Sequence, residues 1–165
     1  GRCCSSRIGA ANYRSLRLTW DNMIHIRNES LECLVDESAV RFAAEATLLD
    51  QNAQACEISV MLTDDSQIQK LNSDYRQTDK PTDVLAFAMR EGIDGKLHSE
   101  LLGDVIISLA TAKRQADEND YTLDAELARL TVHGVLHLLG YHHQTQDEEE
   151  IMFEIQKRIL CTIPT

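Results

Sequence analysis

The chain has 165 residues, enough for one domain that buries roughly two thirds of its unfolded surface. Its 16 basic and 27 acidic residues give a net charge of −11 at pH 7, which argues against a protein that holds nucleic acid by bulk electrostatics. No apolar run approaches the roughly 20 residues of a membrane-spanning helix, and the five cysteines contain no C-x-x-C pair, which disfavours a cysteine zinc site or a disulfide framework.

The first twenty residues differ in charge from the rest of the chain. They contain four arginines and no acidic residue. Such a start fits either the remainder of an organelle transit peptide or an added extension. We predict residues 1–20 to be a disordered extension and residues 21–165 to form a single domain.

Strands and helices alternate from residue 23 onward. Segments rich in β-formers predict strands at 23–27, 56–62, 84–89 and 101–109, with a polar glycine-containing loop before the last one. Apolar stripes of helical period predict helices at about 31–50, 109–119 and 123–139. Another helix should begin near Asp64 and be broken by Pro81, and a last one should begin at a capping box of Thr145 and Glu148.

The segment 133–143 carries histidines at the spacing H-x3-H-x5-H. His133 and His137 lie four residues apart, and therefore one turn apart on one face of a helix. Gly140 suits a left-handed residue just past the helix end, which would let His143 turn back over that face. Three converging imidazoles leave one position of a tetrahedral zinc for water, whose pKa the ion would lower to about 7. The alternative is a set of ordinary polar residues on an apolar helix, which the combined pattern disfavours.

The residue that follows the first histidine bears on the type of hydrolase. Metalloproteases of the H-E-x-x-H type have a glutamate base there. This chain has Gly134, which cannot carry a proton. A peptidase is therefore disfavoured.

Three segments of the chain, in order, resemble the signature segments of the YbeY family. They are Asp79-Lys-Pro-Thr-Asp-Val-Leu-Ala-Phe87, Leu102-Gly-Asp-Val-Ile-Ile-Ser108 and His133-Gly-Val-Leu-His-Leu-Leu-Gly-Tyr-His-His143. The resemblance implies an α/β fold with a four-stranded, mostly parallel sheet that has one antiparallel strand, about five helices and a metalloprotease-like topology. It also implies a metal-dependent, single-strand-specific endoribonuclease that acts in ribosomal RNA maturation and ribosome quality control.

The resemblance also suggests roles for single residues. Its register makes His143, rather than its neighbour, the third metal ligand. Arg76 matches an arginine that the family places near the metal, so we predict it to be a phosphate clamp, the alternative being a solvated arginine at a helix end. Lys80 could add positive charge. Asp104 could orient a ligand imidazole, or simply form a cap or loop hydrogen bond.

One departure from the family concerns the residue before the third ligand. The family usually has an acid there, whereas this chain has His142. A second imidazole could compete for the metal or occupy the position of the water. The change also removes a negative charge near the metal.

These observations together predict a zinc-dependent endoribonuclease. We expect catalysis to involve Arg76 and the ligands His133, His137 and His143, with one zinc ion per chain and nickel as an alternative. The expected partners are single-stranded RNA, in particular ribosomal RNA, and ribosome-associated proteins, with no membrane. The expected location is the bacterial cytoplasm, or alternatively a chloroplast or mitochondrion. The rival prediction is a non-catalytic, metal-stabilised ribosome-associated factor.

Overall fold

The structure, a computed structural model, describes residues 23–30, 35–89 and 100–164. Within these ranges the strands are β1 (Ile24–Asn28), β2 (Glu57–Thr63), β3 (Val84–Ala88) and β4 (Leu101–Ser108). The helices are α1 (Ser38–Asp50), α2 (Asp65–Arg76), α3 (Leu109–Glu118), α4 (Leu123–Leu138) and α5 (Gln146–Leu160).

The strands form one four-stranded sheet in the order β1-β2-β4-β3. Strands β1, β2 and β4 are parallel, whereas β3 pairs antiparallel with β4 and lies at the edge. This architecture confirms the predicted α/β fold with a mostly parallel sheet and one antiparallel strand. Strand β3 therefore has one edge that does not pair with another strand of the described sheet.

The predicted elements agree with the observed ones to within a few residues, except at two helices. The helix predicted from about residue 31 begins at Ser38. The helix predicted to reach Pro81 ends at Arg76, because Gln77 adopts left-handed backbone angles with φ of 56°. The capping box of Thr145 and Glu148 is present. The predicted extension 1–20 and the glycine-containing loop lie outside the described residues.

Helix α4 lies at the centre of the fold. One side packs on the sheet, where Leu127, Leu130 and Val135 join the main apolar core with residues of β2 and β4. The other side packs against α1 and α5 through Val132 and Leu136. Both sides of the helix are therefore largely buried. Helix α2 covers the opposite face of the sheet. None of the helices that the structure describes is long and apolar enough to cross a membrane.

Gly134 allows α4 to approach the sheet closely. A Cβ atom at this position would lie 2.5 Å from Cγ1 of Val105 on β4. Any other residue would therefore push the helix away from the strand. The glycine holds His133 and His137, which flank this part of the helix, next to the edge of the sheet.

Candidate metal centre

The end of α4 determines where the chain goes after the second histidine. Gly140 has a φ of +94°, its N–H donates to the carbonyl of His137 at 3.0 Å, and the N–H of Tyr141 donates to the carbonyl of Leu136 at 3.1 Å. This pair of hydrogen bonds is a Schellman motif. Tyr141 and Leu136 also share an apolar cluster, as the motif favours. The predicted left-handed glycine is confirmed, and it returns the chain toward the histidine face.

Three imidazoles converge beyond this turn. The Nε2 atoms of His133 and His137 lie 3.0 Å apart, and the ring centroid of His143 is 5.7 Å and 5.1 Å from theirs. One ligand atom from each residue lies within 4.8 Å of the other two. Tetrahedral ligand nitrogens at 2.0–2.1 Å from one zinc would be roughly 3.3 Å apart. The three residues could therefore hold one metal ion.

The hydrogen bonds of the two helical histidines direct the same nitrogen toward the cluster. Nδ1–H of His137 donates to the carbonyl oxygen of Tyr141 at 2.9 Å. Nδ1 of His133 lies 3.1 Å from Oε1 of Gln156 on α5, to which it donates. In both rings Nε2 is then left with its lone pair, which is the atom that a metal needs.

The pKa values of these two histidines favour the neutral form. Burial, supported by repulsion from His133, lowers the pKa of His137 to about 4. Burial also lowers the pKa of His133, although its hydrogen bond to Gln156 acts in the opposite direction. Both rings are therefore neutral at pH 7, as metal ligands must be.

His142 lies beside the cluster but outside the group of three. Its ring centroid is 6.3 Å from that of His137, compared with 5.1 Å for His143. It is exposed and lines the cleft next to the histidines. The geometry therefore favours His143 as the third ligand and leaves His142 as a neighbour outside the group.

The cluster opens onto a cleft of about 870 Å³. Edge strand β3 forms one wall and the histidines form another. Arg76, at the end of α2, also lines this cleft. The predicted ligands and the predicted cation thus face the same space, which no local pattern in the sequence could establish.

Arg76 is exposed, and two contacts with β3 hold its side chain. Nη2 donates to the carbonyl oxygen of Ala86 at 2.9 Å, and the guanidinium carbon lies 5.9 Å from the ring centroid of Phe87. The side chain is thus anchored at the cleft. Lys80, though among the described residues, is exposed and lies outside the lining of this cleft.

Asp104 does not orient a ligand imidazole. Its side chain is exposed, whereas the next residue on β4, Val105, faces α4 beneath Gly134. Successive residues of a strand point to opposite faces, so Asp104 points away from the histidine helix. The orienting contact comes from Gln156, which the sequence analysis missed. Nothing in the pattern of α5 distinguishes this glutamine, because its contact depends on how α5 packs.

Two aromatic residues of the cleft were also missed as functional candidates. Tyr75 is 67% exposed, and its ring centroid lies 5.2 Å from that of Phe87. The signal available in the sequence was the position of Tyr75 directly before the predicted Arg76.

The family model and the sequence relatives that match this chain carry the same name. A family model described as Endoribonuclease YbeY matches residues 20–163. The Endoribonuclease YbeY of Syntrophotalea carbinolica is 47% identical over 128 residues, which is 78% of this chain and 85% of the relative. The protein of the same name from a Sulfurihydrogenibium species is 45% identical over 142 residues, 86% of this chain and 92% of the relative. The solution structure of TM1509 from Thermotoga maritima is similar with a TM-score of 0.57 and 26% identity, covering 84% of this chain and 87% of that chain.

Proposed function

The chain belongs to the YbeY family of endoribonucleases, and from that premise we propose that it cleaves single-stranded RNA by metal-dependent hydrolysis. The observation that carries the proposal is the convergence of three imidazoles in the cleft that Arg76 also lines. His133, His137 and His143 would hold the ion. Three neutral nitrogen ligands suit zinc, and nickel is the alternative.

The protein residues would hold the ion and the phosphate in place. A bound ion would act as a Lewis acid and would lower the pKa of its bound water to about 7. Gln156 and the Tyr141 carbonyl direct Nε2 of the two helical histidines into the cluster that would hold the ion. Arg76 holds the scissile phosphate, because a guanidinium has five N–H donors and the Ala86 carbonyl takes only one of them.

Glycine after the first ligand disfavours a peptidase mechanism on steric as well as chemical grounds. Even a Cβ atom at Gly134 would meet Val105 at 2.5 Å, so a glutamate cannot be accommodated there without moving α4. A glycine also has no side chain that could act as the base that peptide hydrolysis of this type requires. A phosphodiester, in contrast, needs a cation next to its charged oxygens, and Arg76 provides it.

We further propose that the biological substrate is ribosomal RNA, cleaved during maturation and quality control of ribosomes, with ribosome-associated proteins as partners. The relatives that match are bacterial, which supports a bacterial cytoplasmic location. A chloroplast or mitochondrion is the alternative that the Arg-rich start suggested. The family's function in RNA cleavage supports the proposed RNA substrate more strongly than any surface feature of the chain does.

The metal-dependent nuclease is tested with His133→Ala, using His25→Ala as the matched control. His25 is exposed on β1, at the other edge of the sheet, where it pairs with Glu57 at 3.1 Å. We expect His133→Ala to lose at least about 100-fold in cleavage of an unstructured oligoribonucleotide, more than is usual for loss of a residue that only supports a ligand. Cleavage is measured by gel with zinc-loaded protein, and metal content by elemental analysis.

The outcome separates the nuclease from the rival factor. For the nuclease, His25→Ala cleaves as the wild type does, and His133→Ala keeps its fold by circular dichroism while losing metal and activity. If zinc-loaded wild type leaves the RNA intact and unfolds when the metal is removed, the protein is a metal-stabilised factor and the proposal is wrong.

A further inference from the structure

An exposed aromatic ring stands at the margin of the cleft. Tyr75, in the last turn of α2, is 67% exposed, although large aromatic side chains usually bury most of their surface. Its ring lies 5.2 Å from that of Phe87 at an interplanar angle of 65°, an edge-to-face contact. The ring is therefore held in place on one side and open to solvent on the rest of its surface.

Phe87 supports both this ring and the guanidinium of the neighbouring arginine. It is half-buried on β3, packed against the cluster that contains Ile68 and Leu85, so its own position is fixed. The Arg76 guanidinium carbon lies 5.9 Å from the Phe87 centroid. The cation and the exposed tyrosine ring are thus held side by side by one phenyl ring, and all three residues line the cleft.

The charge of the molecule favours a non-electrostatic contact with RNA. With a net charge of −11, the protein as a whole repels a polyphosphate. Among the described residues that line the cleft, Arg76 is the only arginine or lysine. Stacking of bases on aromatic side chains, in contrast, does not depend on net charge.

We propose that Tyr75 forms a base-stacking subsite, in which a base of the RNA strand lies on the tyrosine ring while a neighbouring phosphate contacts Arg76. This inference rests on the proposed function, because it assigns the ligand of the cleft as RNA. Phe87 is a positioning residue for both contacts. In a duplex both faces of a base are covered by its neighbours, so only an unpaired base can reach the ring. The subsite therefore gives a structural basis for selecting single strands.

The proposal is tested by measuring RNA affinity rather than cleavage. Binding of a labelled, unstructured 2′-O-methyl oligoribonucleotide is followed by fluorescence anisotropy with metal-loaded protein, and a gel verifies that the probe stays intact. We expect Tyr75→Ala to raise the Kd about 5- to 100-fold and Tyr75→Phe, which keeps the ring, to change it less than twofold. The control is Tyr121→Ala, since Tyr121 is 58% exposed but lies outside the lining of the cleft.

An abasic scan identifies stacking specifically. One abasic position in the oligonucleotide should weaken binding to the wild type about as much as Tyr75→Ala does. The same abasic position should have little further effect on the Tyr75→Ala variant, because the ring and the base act as one pair. Thermal unfolding of each variant shows that the fold is unchanged.

Other results overturn the proposal, in distinguishable ways. In the first case the wild type binds and cleaves RNA, but the Kd of Tyr75→Ala lies within twofold of the wild-type Kd, or the effects of the abasic position and of the alanine simply add. The proposed subsite is then wrong, whereas the proposed nuclease function stands. If Tyr75→Phe loses as much affinity as Tyr75→Ala, the hydroxyl and not the ring makes the contact. If the wild type binds no RNA, the subsite and the proposed function fail together.

Discussion

The two helical histidines are each fixed by a second contact made through Nδ1, but the contacts differ in origin. His137 donates to the carbonyl of Tyr141, four residues further on, so its orientation follows from the turn at the helix end. His133 donates to the side chain of Gln156, which lies on another helix. The orientation of the first ligand therefore depends on one side chain and on how α5 packs against α4.

Replacing Gln156 with leucine should weaken metal binding without abolishing it. Loss of such a supporting acceptor typically costs 10- to 100-fold in metal affinity, since the ring is no longer held in the productive orientation. Gln156→Glu is the matched variant, because it keeps an oxygen acceptor at nearly the same place and should retain most of the affinity. Competition with a chromogenic zinc chelator measures both. A leucine variant that binds zinc within threefold of the wild type would contradict the role.

The convergence of the three histidines could be predicted from the sequence because their geometry is local. Four-residue spacing on a helix fixes His133 relative to His137, and a left-handed glycine allows His143 to return. Gln156 and Phe87 could not be predicted, because their contacts join elements that are distant along the chain. Asp104 was a reasonable candidate for the orienting role, but a shift of one residue along a strand puts a side chain on the other face.

At the level of elements, the contact between α4 and β4 determines how the site is built. The helix lies so close to the strand that position 134 has no room for a side chain, and the nearest atom belongs to Val105. Valine is branched at Cβ and has little freedom to move aside. The histidine helix is therefore held at a fixed distance from the sheet and from the cleft beside β3.

Replacing Gly134 with alanine tests whether the contact between α4 and β4 leaves room for a side chain at position 134. The test is whether the free energy of unfolding rises or falls. In an unconstrained helix interior, Gly→Ala stabilises by roughly 1 kcal/mol. Here we expect a lower free energy of unfolding, by about 1–3 kcal/mol, because the added methyl overpacks the contact. Zinc affinity should fall as well, since both neighbouring ligands move with the helix. Urea unfolding provides the measurement, and a variant more stable than the wild type would show that the contact is not limiting.

Local patterns in the sequence predicted the elements better than their arrangement. Helix caps and apolar periodicity placed both ends of α3 and α4, and the start of α5, within two residues, because these signals depend on nearby residues only. The strand order β1-β2-β4-β3 depends on pairing between distant segments, and only the resemblance to a family predicted a mixed sheet. The start of α1 was placed too early because the apolar stripe continues upstream of the observed helix at Ser38.

At the level of the whole molecule, the histidines link folding to pH. The pKa of His137 is lowered from 6.5 to about 4 in the folded protein, and that of His133 is lowered as well. Above pH 6.5 neither the folded nor the unfolded state protonates these rings appreciably. Between pH 6.5 and 4 the unfolded state binds protons that the folded state does not, so folding becomes less favourable as the pH falls.

Metal-free protein should therefore lose stability between pH 7 and pH 5. Each such histidine contributes at most about 1.4 kcal/mol per pH unit within that window. The fold also lowers the pKa of three carboxyl groups from their usual value of 3.8, those of Asp50, Asp64 and Asp65. These groups change their protonation mainly below pH 5, so the change in stability between pH 7 and pH 5 comes from the histidines. Urea unfolding in chelator at both pH values checks the expectation. Equal stability at pH 7 and pH 5 would show that these rings are readily protonated in the folded state.

Strand β3 has a consequence for self-association. A strand at the margin of a sheet can accept a strand from another molecule, which is a common route to aggregates. Here the carbonyl of Ala86 already accepts a hydrogen bond from the Arg76 side chain at 2.9 Å, so an incoming strand would have to displace it. Besides its proposed role in binding phosphate, Arg76 thus hinders the pairing of another strand with β3. A substitution of Arg76 leaves the Ala86 carbonyl without this hydrogen bond and free to accept one from another molecule. Loss of activity in such a variant is therefore informative about catalysis only when the protein has remained monodisperse.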